Sequence, residues 1–273
     1  GMLYTDFFPR ETKRAGAWMT NFREESVDEN GNEVRPLVTL VMNFTKPTES
    51  KPSLLTFYEV ETFAHEFGHG LHGLLAKGKY SSITGTNVRH DFVELFSQFN
   101  ENFYSEREVL DGFAKHYETG EKIPQELVDK VIASSQYAAA YACMRQLSFG
   151  FLDMAWYTLE TPFDGDVMKF EQEAMAPVKV FDPVEGCAMS PQFGHIFSGG
   201  YAAGYYGYKW AEVLDADAFG KFKEDGIFNA ETAKAFKKML QAGGTVEPME
   251  LFKEFRGREP KIDALMRRDG IIK

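Results

Sequence analysis

Two histidines and a glutamate occur at the spacing of a catalytic zinc site. They form His65-Glu66-Phe-Gly-His69, inside residues 54–76, where apolar residues recur at helical intervals without proline. Positions four apart share a helix face one turn apart, so two neutral imidazoles there can hold one zinc ion. Glu66 follows His65 directly and can take a proton from a metal-bound water. A chance match to the motif is the competing explanation.

A catalytic zinc usually has three protein ligands, so the third must come from elsewhere. His72 shares the face of His65, but seven residues span roughly 10 Å along a helix axis, too far for one ion. His72 then contacts substrate, supports a ligand or is an ordinary buried polar residue. Glu94 is the better candidate, because it lies among apolar residues of a predicted helix at 90–104 and needs a partner there. The alternative for Glu94 is an exposed helix glutamate.

Two further carboxylates can accept the second ring N–H of a ligand histidine and so fix its tautomer. Glu61 lies one turn before His65 on the same predicted helix, and Asp91 begins the helix of Glu94. Solvated helix carboxylates are the simpler interpretation of both.

Residues 193–208 form a second unusual segment, with five glycines and four tyrosines. Three of the tyrosines recur at helical intervals, so their hydroxyls can point the same way. Tyrosine O–H and histidine N–H groups can donate to a developing oxyanion, and glycines allow loop motion or close backbone approach. An aromatic packing stripe is the alternative. The candidate residues of this segment are His195, Gly199, Gly200, Tyr201, Tyr205 and Tyr208.

Composition limits the possible partners. The chain has 273 residues, 44% of them hydrophobic, and 30 basic against 41 acidic side chains give a net charge of −11. This excess of negative charge argues against nucleic acid and anionic membrane surfaces. No apolar run approaches the roughly 18 residues of a membrane span, and no signal peptide is visible. Two cysteines, Cys143 and Cys187, form no disulfide framework and suit a reducing compartment.

The elements that must position these residues are mainly helical. Residues 36–44 are β-branched and apolar, and they predict a strand that pairs with 15–22 and offers an edge to an extended peptide. Asp28–Asn32 predicts a turn. The remaining pattern predicts helices at 54–76, 90–104, 106–118, 124–160, 164–175 and 201–219, then short helices to 270. We expect an α+β domain, mainly α, with a small N-terminal antiparallel sheet in residues 1–53 and a helical zinc-binding region in 54–273.

These motifs together resemble the family of zinc metallopeptidases that includes thimet oligopeptidase, oligopeptidase A and peptidyl-dipeptidase Dcp. The similarity covers essentially the whole chain. It is carried by the segments Tyr4–Arg10, Asn43–Pro47, His65–His72, Gly85-Thr86, Arg89–Glu94, His195–Tyr208 and Phe255–Pro260.

The resemblance implies a zincin-like fold, a cytoplasmic location and hydrolysis of oligopeptides. It implies one zinc ion bound by His65, His69 and Glu94, with Glu66 as general base. It also implies that Glu61 supports a ligand histidine. The residues that it places on the substrate or the tetrahedral intermediate are His195, Tyr201, Tyr205 and Tyr208.

Length is the main departure from the family. Its members are typically more than twice as long, and their helical N-terminal region forms the other wall of a deep substrate channel. In this chain only 64 residues precede His65. One hypothesis is therefore a zinc peptidase acting on oligopeptides. The alternatives are a catalytically weak fragment that binds zinc and peptides and needs a partner for the missing wall, and a hydrolase of non-peptide substrates.

Overall fold

The computed structural model describes residues 1–273 as five short strands followed by eleven α-helices. The strands are β1 (Met2–Asp6), β2 (Trp18–Arg23), β3 (Ser26–Val27), β4 (Glu33–Val34) and β5 (Leu37–Val41). The helices are α1 (Phe57–Leu75), α2 (His90–Phe103), α3 (Arg107–Phe113), α4 (Gln125–Ser135), α5 (Ala139–Tyr157), α6 (Val167–Met175), α7 (Gly194–Phe197), α8 (Tyr206–Asp225), α9 (Ala230–Gln241), α10 (Pro248–Arg256) and α11 (Asp263–Arg268). The expectation of a mainly helical chain with a small N-terminal sheet is confirmed.

The main sheet has three strands in the order β1-β5-β2. The expected antiparallel pairing of β2 with β5 is present, while β1 joins the other side of β5 in parallel, so the sheet is mixed. The prediction that residues 36–44 offer a free edge is wrong, because β5 is the central strand. The predicted turn joins the β3–β4 hairpin, where the Asp28 side chain accepts the Asn30 and Asn32 N–H groups.

Helix α1 packs against this sheet and begins at a capping box. The Glu59 N–H donates to the Thr56 hydroxyl, and the Glu59 carboxylate accepts the Thr56 N–H. This reciprocal pairing satisfies two donors that a helix start otherwise leaves free, and it fixes where the helix begins. Apolar side chains of α1 then pack against β5 and its continuation, among them Phe63 and Phe67 against Leu40, Met42 and Phe44.

The largest core lies among α2, α8, α9 and α10. Buried phenylalanines dominate it, and Phe99 stacks on Phe236 with 3.8 Å between ring centroids. Helix α2 crosses α1 closely on its other side: a Cβ added to Gly68 would lie 2.5 Å from the Phe96 carbonyl oxygen. The glycine therefore allows the two helices that carry the histidines and Glu94 to approach each other.

A smaller core joins α5 to the tyrosine segment through Phe149, Leu152, Phe193, Ile196 and Tyr205. The single helix predicted at 124–160 is wrong, because α4 ends at Ser135 and α5 starts at Ala139. Ala138 between them has a left-handed φ of +56°, which a continuous right-handed helix excludes.

No helix combines the length and the apolar character needed to cross a bilayer. The division of the chain at residue 53 stays a prediction.

Candidate metal centre

Helices α1 and α2 bring two imidazoles and one carboxylate to a single point. His65 and His69 lie one turn apart on α1, with 5.0 Å between their ring centroids. The Nε2 atom of each histidine lies 3.2 Å from Oε2 of Glu94 on α2. One donor atom from each residue lies within 4.8 Å of the other two. Two nitrogens and an oxygen converging from two helices fit the donor set of a catalytic zinc site.

Glu94 is buried to 2% exposure and is saturated with partners. The Ser97 hydroxyl donates to its Oε2 at 2.8 Å, and the Tyr201 hydroxyl donates to its Oε1 at 2.6 Å. Burial raises the pKa of Glu94, but the adjacent imidazoles outweigh it and hold that pKa well below its usual value. The carboxylate is therefore ionised, as a metal ligand must be.

Glu101 fixes the orientation of His65. Its Oε1 lies 2.6 Å from Nδ1 of His65, so a proton on Nδ1 points at the carboxylate and Nε2 keeps its lone pair for a metal. Glu101 was not among the residues predicted from the sequence. A signal was present, because Glu101 lies seven positions after Glu94 on α2 and shares its helix face.

Neither carboxylate predicted for this supporting role forms a hydrogen bond or an ion pair with a ligand histidine. Glu61 is partly buried, and burial together with the charge of Glu101 raises its pKa to about 6. Asp91 accepts a hydrogen bond from the Tyr206 hydroxyl at 2.7 Å. It lines a separate surface cavity of about 410 Å³ that includes Trp210 and Phe252.

Glu66 lies beside the donor cluster and is buried to 6% exposure. Burial raises its pKa above the usual value, and the nearby histidines oppose that rise. A partly desolvated carboxylate with a raised pKa is a stronger base than one in water, which suits proton transfer near neutral pH.

The tyrosine segment contacts the cluster through Tyr201, whose hydroxyl donates to Glu94. Tyr201 and Tyr208 stack with 5.0 Å between ring centroids, and the exposed His195 ring lies 6.0 Å from each. Burial raises the pKa of both tyrosines, with the Glu94 charge adding to it, so both hydroxyls stay protonated at neutral pH. The structure therefore brings three of the predicted polar side chains together beside Glu94.

The other residues predicted to bind substrate have different surroundings. The Tyr205 hydroxyl donates to Gln146 at 3.0 Å, and burial raises its pKa to about 12. His72 is fully buried against Phe96, with no partner for either nitrogen, so the structure does not support contact with a substrate. Gly199 and Gly200 are exposed beside His195, and Gly200 has a φ of +86°.

Comparison with known proteins defines the family to which this chain belongs. The model of peptidase family M3 matches residues 1–271. The chain belongs to this family, as its resemblance to the thimet oligopeptidase group predicted.

Curated relatives match nearly the whole chain. Oligopeptidase A of Escherichia coli is 44% identical over 274 residues, which cover 99% of this chain and 40% of the relative. Dipeptidyl carboxypeptidase of Salmonella typhimurium is 40% identical, with 99% and 40% covered. Saccharolysin of Saccharomyces cerevisiae is 35% identical, with 99% and 38% covered. The chain thus spans about two fifths of the length of these relatives.

A solved structure named "BsuCP Crystal Structure" shares the fold. Its TM-score is 0.55 at 14% sequence identity, and the match covers 91% of this chain and 52% of the other.

Proposed function

We propose that this chain is a zinc-dependent peptidase that hydrolyses oligopeptides. The observation that carries the proposal is the partly buried cluster of His65, His69 and Glu94, with Glu66 beside it. Membership in peptidase family M3 and the names of its relatives support peptides as the substrate class. Because the relatives include both an oligopeptidase and a dipeptidyl carboxypeptidase, the position of the cleaved bond is left to experiment.

The donor set fits one zinc ion. His65 and His69 would bind through Nε2 and Glu94 through its carboxylate, leaving a fourth position open. A zinc ion bound there would supply Lewis acidity toward the scissile carbonyl and would lower the pKa of bound water.

Glu66 would act as general base and then as general acid. Its buried carboxylate would accept the proton of the attacking water and then donate it to the amine nitrogen that leaves. Its raised pKa brings the carboxyl closer in pKa to the groups with which it exchanges the proton. Positioned acid–base groups of this kind typically contribute about 10²- to 10⁴-fold to the rate.

Tyr208 would donate a hydrogen bond to the oxygen that gains charge as the peptide carbonyl becomes tetrahedral. Tyr201, whose single O–H donates to Glu94 in the structure, would donate to the same oxygen after exchanging that bond for one to the substrate. Their raised pKa values keep both hydroxyls protonated, which a donor requires. Loss of one such donor typically costs about 10²- to 10³-fold in rate. His195 is exposed beside them and would contact the bound peptide. Tyr205 would support Tyr208, with which its ring packs at 5.2 Å.

The test is hydrolysis of internally quenched peptides of about 5–15 residues, the oligopeptide size that the proposal names as substrate. Zinc-loaded protein is compared with chelated protein and with Glu66→Gln, which retains all three ligands. We expect cleavage by the loaded protein alone and bound zinc in the variant. Turnover retained by Glu66→Gln would contradict the mechanism.

A second candidate function is a zinc- and peptide-binding fragment that needs a partner for efficient hydrolysis. The observation favouring it is an apolar face on α5, where Leu147, Phe151 and Met154 are 36%, 45% and 43% exposed. Exposed apolar surface of this kind often marks an interface. One tightly bound zinc without peptide cleavage would favour this candidate.

We also propose a cytoplasmic location, which two unpaired cysteines support.

A further inference from the structure

A buried aspartate on α5 holds the loop that carries Tyr201. Asp153 is 1% exposed, and each of its oxygens accepts one backbone N–H. The Ala203 N–H donates to Oδ1 at 2.9 Å, and the Tyr205 N–H donates to Oδ2 at 2.9 Å. The two amides that donate to this carboxylate lie two residues apart in one loop. Charge-assisted hydrogen bonds are short and directional, so the pair fixes the path of the loop.

The loop needs such support because its own backbone is strained at Ala203. Ala203 adopts a left-handed φ of +52°, a region that non-glycine residues rarely occupy without help from their surroundings. Two glycines precede Tyr201, and they add conformational freedom. Within the loop, the Tyr201 N–H donates to the His195 carbonyl and the Gly204 N–H to the Tyr201 carbonyl.

The anchored loop determines where the Tyr201 hydroxyl lies. Tyr201 lies two residues before Ala203, and its hydroxyl reaches Oε1 of Glu94 at 2.6 Å while its ring stacks on Tyr208. A loop free to leave α5 would carry this hydroxyl away from the donor cluster. We infer that Asp153 is a positioning residue, which holds Tyr201 over the metal centre through the Ala203 and Tyr205 amides. The catalytic part of this inference rests on the proposed function.

The variant Asp153→Asn tests the inference with little change in volume. Asparagine offers one carbonyl acceptor, and its amide group cannot accept the second N–H. Glu171→Gln is the matched control, because Glu171 is also buried and accepts the Met189 and Ser190 N–H groups, away from Tyr201. The two variants thus remove similar bonds from two different loops.

The first readout is native-state cleavage by chymotrypsin after Tyr201, identified by fragment mass and compared at equal folded fraction. We expect Asp153→Asn to raise this cleavage rate at least about tenfold, because the loop opens when a charge-assisted bond is lost. We expect Glu171→Gln to leave it within about twofold. An Asp153→Asn rate equal to that of the unmodified chain would overturn the inference.

The second readout is the kinetics of peptide hydrolysis. Displacement of a transition-state donor lowers kcat with little change in KM, so we expect Asp153→Asn to lower kcat about tenfold or more. A purely structural loss lowers the active fraction instead, and correction for the folded fraction would then restore kcat. If the unmodified chain hydrolyses no peptide, the proposed function fails, while the chymotrypsin readout still decides whether Asp153 holds the loop.

Amide hydrogen exchange in the unmodified chain provides a third test that needs no variant. The Ala203 and Tyr205 amides donate to a buried carboxylate, whereas Ala202 is exposed and its amide has no backbone acceptor. We expect the amides of residues 203 and 205 to exchange at least about a hundredfold more slowly than that of residue 202. Equal exchange at the three positions would overturn the inference.

Discussion

The behaviour of Glu94 depends on which side chains surround its two oxygens. Both histidine Nε2 atoms and the Ser97 hydroxyl face Oε2, while the Tyr201 hydroxyl faces Oε1. Every partner is a hydrogen-bond donor or an imidazole nitrogen that can bind a metal. The buried carboxylate therefore keeps its charge despite the cost of desolvation. A site of this kind is prepared for a cation before the cation binds, which reduces the reorganisation that binding requires.

The contact between Glu101 and His65 predicts a loss of zinc affinity when it is removed. We expect Glu101→Ala to weaken zinc binding by about 10- to 100-fold, because the His65 ring loses the acceptor that fixes its tautomer and orientation. Competition against a chromophoric chelator measures this affinity. Glu61→Ala is the control and should change it by less than about threefold. The reverse ranking of the two variants would contradict the assignment.

His72 predicts a pH dependence of stability. Burial lowers its pKa to about 3, so the folded chain keeps the ring neutral where the unfolded chain protonates it. Below about pH 6.5 the unfolded state binds more protons, and stability falls as the pH falls toward 3. We expect His72→Phe to gain about 2 kcal/mol relative to the unmodified chain between pH 7.5 and pH 5.

Urea unfolding at the two pH values measures this difference. His116→Gln serves as the control for loss of an exposed histidine. A His72→Phe difference that is the same at both pH values would show that the buried ring accepts a proton in the folded chain.

Helix spacing predicted the histidine pair, and the apolar surroundings of Glu94 on its own helix made it the candidate third ligand. Glu101 was missed because the acceptor of the second His65 nitrogen depends on how two helices cross, which spacing along one helix does not specify. His72 shows the same limit: its position on the ligand face was predictable, but its burial against Phe96 depends on the α1–α2 crossing. The periodicity of apolar residues predicts which face of a helix is buried, but it does not specify which residues pack against that face.

At the scale of elements, the distance between α1 and α2 determines whether the three donor atoms meet. Gly68 lies at the crossing, where an added Cβ would lie 2.5 Å from the Phe96 oxygen and 2.7 Å from the Ser97 Cα. Both contacts are with backbone, which cannot rotate out of the way. On the other side of α2, the α8 residue Gly207 packs against Asp91 in a similar way, with a Cβ position 3.0 Å from its Cα.

The variant Gly68→Ala therefore has a definite expected effect. We expect the free energy of unfolding to fall by about 1–3 kcal/mol, because the two helices must separate to admit a methyl group. The zinc affinity of this variant should also fall, because the two helices carry the proposed ligands. Gly150→Ala on α5 is the control, since nothing lies within 4 Å of its Cβ position, and a helix interior gains about 0.5–1 kcal/mol from this change. Urea unfolding measures both, and a stabilised Gly68→Ala would contradict the close crossing.

Helix positions were largely predictable, since α1 and α2 follow clear apolar periodicity and end within a few residues of the predicted limits. The break at Ala138 was not, because no glycine or proline marks it. The parallel addition of β1 was also missed, since strand direction in a sheet depends on a long-range pairing. In each case the error lies where tertiary contacts override the local pattern.

At the scale of the whole molecule, the site is assembled from distant parts of the chain. The proposed ligands come from α1 and α2, the tyrosines from the segment before and within α8, and the buried anchor of that segment from α5. The donor cluster therefore exists only in the folded chain. The chain spans about 40% of the length of oligopeptidase A, so we place the test of the proposed function on hydrolysis by these 273 residues.

A zinc titration of the metal-free chain, followed by hydrolysis of a quenched peptide, tests the proposed function in one experiment. We expect hydrolysis to rise with added zinc and to reach a plateau at one equivalent per chain, because a single cluster of two imidazoles and one carboxylate would bind the ion. Hydrolysis that is independent of zinc, or tight binding of one zinc without hydrolysis, would contradict the proposed function.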